Sequence, residues 1–361
     1  MHLKSLSLLN FKNFESLDLE LCHKMNCFIG DNGIGKTNIL DSIYYLSFCK
    51  SAINQSDKQN IKQDEEFFVI QGEFFREGEN EKIYCGFQKD KKKSFRRNNV
   101  EYQRLSEHIG FIPIVFSTPY DSNLIHLGSE VRRKFVDSII SQFNKNYLND
   151  LMAYNQTLEQ RNSLLKKASK NPKFDYDEIE IWDIQLVKKG IEIYNVRKIF
   201  ANEIKPIFQD YYNKISQYKT TENVELIYNT QLIDEDFALL LKKNFEKDKF
   251  LQYTSAGIHK DDFEFLLNNN LIKRYASHGQ QKTYTISLKF AQYDYIKNKI
   301  NFNPILLLDD IFDKLDKKRV KMITQLVAND NFGQIFMTDT SHTRLPEIVE
   351  NLNIEYKIFN L

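Results

Sequence analysis

Apolar and polar positions alternate from the start of the chain. Leu6, Leu8, Leu17, Leu19 and Leu21 fall on either side of Asn10–Asn13, the pattern of two paired strands with a short polar connection. Lys12 lies in that connection, either in a solvated turn or within reach of a ligand. The unbroken apolar run from Met25 to Ile29 predicts a buried strand. Ile39, Leu40, Ile43, Tyr44 and Leu46 then take helical spacing, which predicts a helix from about Thr37 to Phe48. Residues 51–66 are polar and read as a surface excursion. Strand patterns return at Phe67–Phe75, Lys82–Gln88 and Ser94–Arg97, with turns REGENE and KDKKK between them. Phe111–Ser117 is a further buried strand, ended by Thr118-Pro119.

Beyond Ser129 the apolar period lengthens to three or four residues. Val131, Phe135, Ile139, Phe143, Tyr147, Leu151, Tyr154 and Leu158 make one stripe of about eight helical turns, stopping near Asn171-Pro172. A second helical stretch, Ile179 to Ile204, carries Trp182, Leu186, Val187, Ile191 and Tyr194 and ends at Pro206. The two together predict an αα-hairpin whose stripes are core. A strand within Ser216–Ile227 and a helix over Asp234–Phe250 follow. Phe263–Leu267, the turn Asn268–Asn270 and Leu271–Ala276 then form a hairpin, since Asn tolerates positive φ.

Composition narrows the class without choosing a function. The chain has 361 residues, enough for two domains or for one with a large insertion. A net charge of +1 excludes a uniformly basic surface, so any nucleic-acid contact must be a local patch. Cys22, Cys27, Cys49 and Cys85 lack paired metal-ligand spacing and read as reduced core residues. Polar residues interrupt the first apolar run, and no apolar stretch approaches the ~20 residues that span a bilayer. A cytoplasmic protein with no membrane partner is expected.

The chemistry concentrates at GDNGIGKT, between the Met25–Ile29 strand and the helix after it. Gly30, Asp31, Asn32, Gly33, Ile34 and Gly35 provide a turn whose N–H groups can converge on phosphates. Lys36 can bridge the outer phosphates, Thr37 can ligate Mg²⁺, and Asn38 continues the helix N-terminus aimed at the same anion. A glycine turn that binds nothing is the alternative; the strand before and the helix after favour a nucleoside triphosphate site. NPILLLDD, residues 303–310, supplies the complementary half. Four apolar residues predict a core strand, with Asp309 placed to hold Mg²⁺ through water and Asp310 to orient or deprotonate the attacking water.

Asp309 lies about 270 residues beyond Lys36, so a large segment is inserted between two halves of one site. SHGQQK starts a helix that runs to about Lys297. Ser277, Gly279 and Gln280 match the signature of ABC-type ATPases, a hydroxyl and free N–H groups at a helix N-terminus. In that class the signature of one chain covers the nucleotide of another, so ATP is expected to drive a homodimer. The expected architecture is an α/β ABC/SMC-type ATPase head. It has a mixed sheet around the phosphate loop, an antiparallel β subdomain and an inserted α-helical lobe. The boundaries are 1–120 and 253–361 for the two ATPase halves and 121–252 for the lobe.

LNFKNF, GDNGIGKTN, VRRKFVD at 131–137, AGIHKDDFEF, ASHGQQK and LLLDDIFDKLD occur in this order. With them the chain resembles the RecF family, in the SMC-type branch of ABC ATPases, over nearly its full length. The resemblance implies an ATP-dependent DNA-binding dimer acting in recombinational repair and replication. It would bind single-stranded, double-stranded, gapped and junction DNA, work with RecO- and RecR-type proteins in recombinase loading, and support SOS induction. Where the family commonly has Ser-Glu-Leu-Asp this chain has Asp313–Asp316, and where it has Gly-Pro-His-Arg-Asp-Asp this chain has Gly257–Asp262. Asp310 stands where faster ABC-type enzymes carry glutamate, which predicts slow hydrolysis; the resemblance implies that DNA stimulates it. His342 falls near, but out of register with, a γ-phosphate-sensing histidine of relatives.

Another SMC-like ATPase, structural or nuclease-linked, is the main competing class; a transporter ATPase and a purely structural module are the others. The first would need a longer coiled coil or a further carboxylate-rich domain, the second more closely spaced motifs. Two basic clusters are candidate DNA contacts, Lys89–Arg97 with Phe95 among its cations, and Arg132-Arg133-Lys134.

Overall fold

The alternating N-terminal pattern builds a six-stranded antiparallel sheet. Its spatial order is Phe14–Glu20, His2–Phe11, Phe67–Arg76, Glu79–Gln88, Ser94–Arg97 and Val100–Glu101. Leu6, Leu8, Ile70, Phe74, Ile83 and Cys85 are buried on one face, and alternation puts Ser5, Ser7, Gln71 and Tyr84 on the other. The apolar runs build a second sheet of five parallel strands: Tyr356–Asn360, Met25–Ile29, Ile335–Asp339, Ile305–Leu308 and Ile114–Ser117. The expected mixture of strand directions is therefore divided between two sheets. This computed structural model describes the chain except for Pro172, 217–221, Asp234, 313–314, 329–330, 351 and 353.

The helix Lys36–Phe48 is buried at ten of its 13 residues, so it is enclosed nearly all round rather than along one stripe. Ile39, Leu40, Ile43 and Leu46 share one core with Leu3 and Ile70 of the antiparallel sheet and Phe28, Leu307 and Phe336 of the parallel one. This packing fixes the helix N-terminus, and with it the phosphate loop, at the C-terminal ends of the parallel strands. The helix His278–Ile300 is also largely buried, and its Lys289 Nζ lies 2.7 Å from the Phe116 carbonyl and 3.1 Å from Asp121.

Two units divide the chain: Met1–Ser122, Tyr211–Thr220 and His278–Leu361 form one, Asn123–Asp210 and Thr221–Ser277 the other. The second takes in residues 253–277, which the sequence pattern groups with the last segment. Within it the single long stripe after Ser129 is two helices, Ser129–Ser141 and Lys145–Ala168. Asn144 makes the break: it is extended, and its side chain accepts the Tyr147 N–H. The second helix ends four residues before Pro172, which lies outside the described residues.

The next helix, Asp177–Ser216, passes through Pro206 instead of ending there. Proline in a helix costs about 3 kcal/mol, but Phe208, Tyr211, Tyr212 and Ile215 beyond it are all buried and offset that cost. The strand Val224–Asn229 is present; residues 217–221 before it are not described. The helix expected over Asp234–Phe250 divides at Asn244 into Phe237–Lys243 and Phe245–Leu251, and Asp236 caps the first. Asp262–Leu267 pairs along its length with Val224–Asn229, while the hairpin arm on its other side is just Asn270–Leu271, after which Ile272–Tyr275 is a helical turn rather than strand.

Two buried arginines hold this unit together. Arg161 reaches Asp183 at 2.5 Å and Asp248 at 2.7 Å. Arg197 reaches Asp137 at 2.9 Å, Asp261 at 3.2 Å and the Ile258 carbonyl at 2.8 Å. No helix among the described residues is long and apolar enough to cross a membrane.

Candidate nucleotide site

Gly33 and Gly35 have φ of +86° and +117°, values that side chains rarely adopt. A Cβ on Gly35 would also lie 2.6 Å from both Asn13 and Phe14. Asn13 uses that close approach to brace the loop. Its Nδ2 donates to the Ile34 carbonyl at 2.8 Å, and its Oδ1 accepts from Asn38 Nδ2 at 2.7 Å. Asn13 is absent from the candidate set; its one sequence signal is its place within LNFKNF.

Lys12 beside it does not lie in a solvated turn. Its Nζ is 2.6 Å from Asp41 on the loop helix, and both side chains are buried. The Lys36 ammonium is buried within the turn and donates to the carbonyls of Gly30 at 2.7 Å and Asp31 at 2.9 Å. Ile34 is exposed at the loop tip.

The two halves of the site meet at the C-terminal ends of the parallel strands. Thr37 Oγ1 donates to Asp309 Oδ2 at 2.8 Å, across 272 residues of chain. The other Asp309 oxygen accepts from Thr338 Oγ1 at 2.7 Å, and the same hydroxyl accepts the Asp310 N–H at 2.9 Å. The Asp309 N–H donates to the Ser117 carbonyl at 2.9 Å. Burial pushes the Asp309 pKa above the ordinary carboxylate value, against the opposing hydrogen bonds of Thr338 and Thr37.

Asp310 has φ of +45°, the left-handed region that Asp enters more readily than most residues with a Cβ. Thr338 therefore ties both acidic residues to the neighbouring strand, a role with no signal in a motif. His342 is exposed beyond that strand.

Ser277 is exposed and is the last residue of the second unit. Gly279 and Gln280 sit in the first turn of the His278–Ile300 helix, and a Cβ on Gly279 would come within 2.9 Å of Arg319. Asp316 caps the helix bearing that arginine, accepting the N–H groups of Lys318 at 3.0 Å and Arg319 at 2.9 Å. The Arg319 and Lys318 N–H bonds hold its carboxyl below the usual range. Asp313 and Lys314 lie outside the described residues.

The two basic clusters differ in what they leave exposed. Arg132 forms a two-pronged pair with Asp262 at 2.7 and 2.8 Å, and Arg133 donates to the Asp261 carbonyl at 2.5 Å. Lys134 pairs with Glu130. In the hairpin, Lys93 is tied to Asp57 at 2.8 Å, Arg97 to Glu81, and Lys89 to Glu66 at 2.9 Å. Among the described residues Lys91, Lys92 and Arg96 have no ion pair.

A parallel sheet with a phosphate loop at one strand and a carboxylate pair at another, joined to an antiparallel sheet and carrying a helical insertion, defines an ABC/SMC-type ATPase head. The Smc head domain of Pyrococcus furiosus shares this fold, with a TM-score of 0.55 at 16% identity over 99% of this chain and 93% of that one. No family model matches the chain. The DNA replication and repair protein RecF of Phocaeicola vulgatus is 48% identical over 99% of this chain and 96% of that protein. The solved recombination mediator protein RecF-ATP in the RecFOR pathway is 31% identical, with a TM-score of 0.88 over 99% of this chain and 95% of that chain. The chain belongs to the RecF family of DNA replication and repair proteins.

Proposed function

We propose that this chain is an ATP-controlled DNA clamp. ATP would bind at Gly30–Asn38, with the loop N–H groups and Lys36 on its phosphates. What supports the reading most is the Thr37 hydroxyl at 2.8 Å from the Asp309 carboxylate. A hydroxyl and a carboxylate oxygen side by side at the phosphate loop suit a Mg²⁺, which Thr37 would ligate and Asp309 would hold through water. That ion would neutralise phosphate charge. Lys36 would hold the outer phosphates, and Asp310, turned by its left-handed backbone, would orient water for hydrolysis. Its short side chain predicts slow turnover.

Ser277, Gly279 and Gln280 would complete the site of a second copy, making ATP the link between two chains. The dimer would act on single-stranded, gapped and junction DNA with RecO- and RecR-type partners, in recombinase loading and SOS induction. Two features support this part: the RecF family assignment and the position of SHGQQK at a helix N-terminus. Sedimentation velocity tests the reading. ATP with Mg²⁺ should convert wild type to dimer and leave Lys36→Ala monomeric; a wild type that stays monomeric contradicts it.

A further inference from the structure

The outer face of the antiparallel sheet carries a second arrangement. Strand register sets Asp18, Ser7, Gln71, Tyr84 and Arg96 in one row across five adjacent strands. The Tyr84 ring lies over Gly86, where a Cβ would come within 2.6 Å of the phenolic oxygen, so only glycine lets the ring lie down there. The Arg96 guanidinium sits 5.4 Å from the ring centroid. Beside the ring is a hollow of about 360 Å³ whose walls include Ser7, Gln71, Lys82 and Asn99.

Charge divides this face. Lys82, Lys91, Lys92 and Arg96 have no ion pair among the described residues and lie on the strands Glu79–Gln88 and Ser94–Arg97 or the turn between them. Asp18 and Glu20 line the hollow from the opposite edge strand, and Glu73, paired with Lys4 at 3.4 Å, lines it from the strand Phe67–Arg76.

We propose that this face seats an unpaired base of a single-stranded nucleic acid. Every base has a π face that stacks on an aromatic ring without regard to sequence. The cationic side takes the phosphate backbone, and the acidic edge repels phosphate while accepting hydrogen bonds from exocyclic amino groups. A duplex keeps its bases stacked inside and has none to offer the hollow. The proposal rests on the DNA-binding reading and narrows it to one surface and one strand form.

The test is fluorescence anisotropy of the full chain with ATP and Mg²⁺, against a labelled single strand, the same strand carrying abasic sites, and its duplex. Tyr84→Ala should weaken the intact single strand about tenfold, the loss of one stacked base, while Tyr84→Phe stays within about twofold. Duplex affinity should not change, and the abasic strand should bind wild type and Tyr84→Ala alike. No loss with Tyr84→Ala, or the same loss on duplex, overturns the proposal. A Tyr84→Ala that alters self-association while sparing single-strand affinity also overturns it, making a second copy the occupant. A wild type that binds no DNA overturns the functional reading as well.

Discussion

The run Arg132-Arg133-Lys134 and the hairpin Lys89–Arg97 both concentrate positive charge over a few residues, and their folded surroundings separate them. The first opens a helix in the second unit. There its two arginines are spent on the Asp261-Asp262 pair, while its lysine stays in solvent in a surface pair with Glu130. The second is a turn on an antiparallel sheet, where carboxylates from neighbouring segments reach some cations and leave Lys91, Lys92 and Arg96. A cation paired inside the fold is a structural part, and one left in solvent can contact phosphate. Charge density along a sequence does not distinguish the two, because the partners are brought by other segments.

The largest effect that sharpens this contrast is on stability. Arg132→Ala should cost about 3 kcal/mol, because it leaves Asp262 with no guanidinium and removes the donor to the Leu124 and Leu127 carbonyls. Denaturant unfolding of the full chain measures it, and DNA affinity of the folded variant should be unchanged. The interior of the same unit also holds a titrating group. Burial lowers the His259 pKa from 6.5 to about 4. The unfolded chain therefore binds the extra proton first as pH falls. The stabilisation is full above pH 6.5 and is lost toward pH 4, by about 3 kcal/mol. Unfolding midpoints measured across that range should slope downward in wild type and less in His259→Gln.

A smaller loss, about 1–2 kcal/mol, is expected for Lys93→Ala, whose ammonium holds Asp57, the Tyr45 hydroxyl and the Cys49 carbonyl. Salt dependence of its DNA binding should match wild type. Lys91→Glu with Lys92→Glu should reverse that profile. Stability should move by less than about 0.5 kcal/mol, while the salt slope of single-strand binding falls by about 1.4, two contacts at 0.7 each. Equal slopes for that double variant would break the comparison between the clusters.

Much of the fold was legible in the pattern of the chain. Met25–Ile29 and the helix after it carry both the burial pattern and the turn chemistry, and Asp309-Asp310 stand at the end of an apolar run, so each half of the site announces itself locally. What stayed hidden depends on contacts between distant segments. Asn13 braces Gly35 because a turn from the other sheet approaches the loop, and Thr338 serves Asp309 because its strand lies next to Ile305–Leu308. Neither residue type is unusual where it stands. The helix ends misread at Asn144 and Pro206 have a related cause. Asn144 supplied a cap within an otherwise continuous stripe, while burial beyond Pro206 outweighed the local cost of proline.

The central claim is that ATP held at Gly30–Asn38 governs the grip on DNA. The most direct test measures single-strand affinity at fixed salt, with and without ATP and Mg²⁺, for wild type and Lys36→Ala. Coupling of ordinary size predicts that ATP tightens wild-type binding by about tenfold and leaves Lys36→Ala unchanged. Equal wild-type affinity with and without ATP would contradict the account.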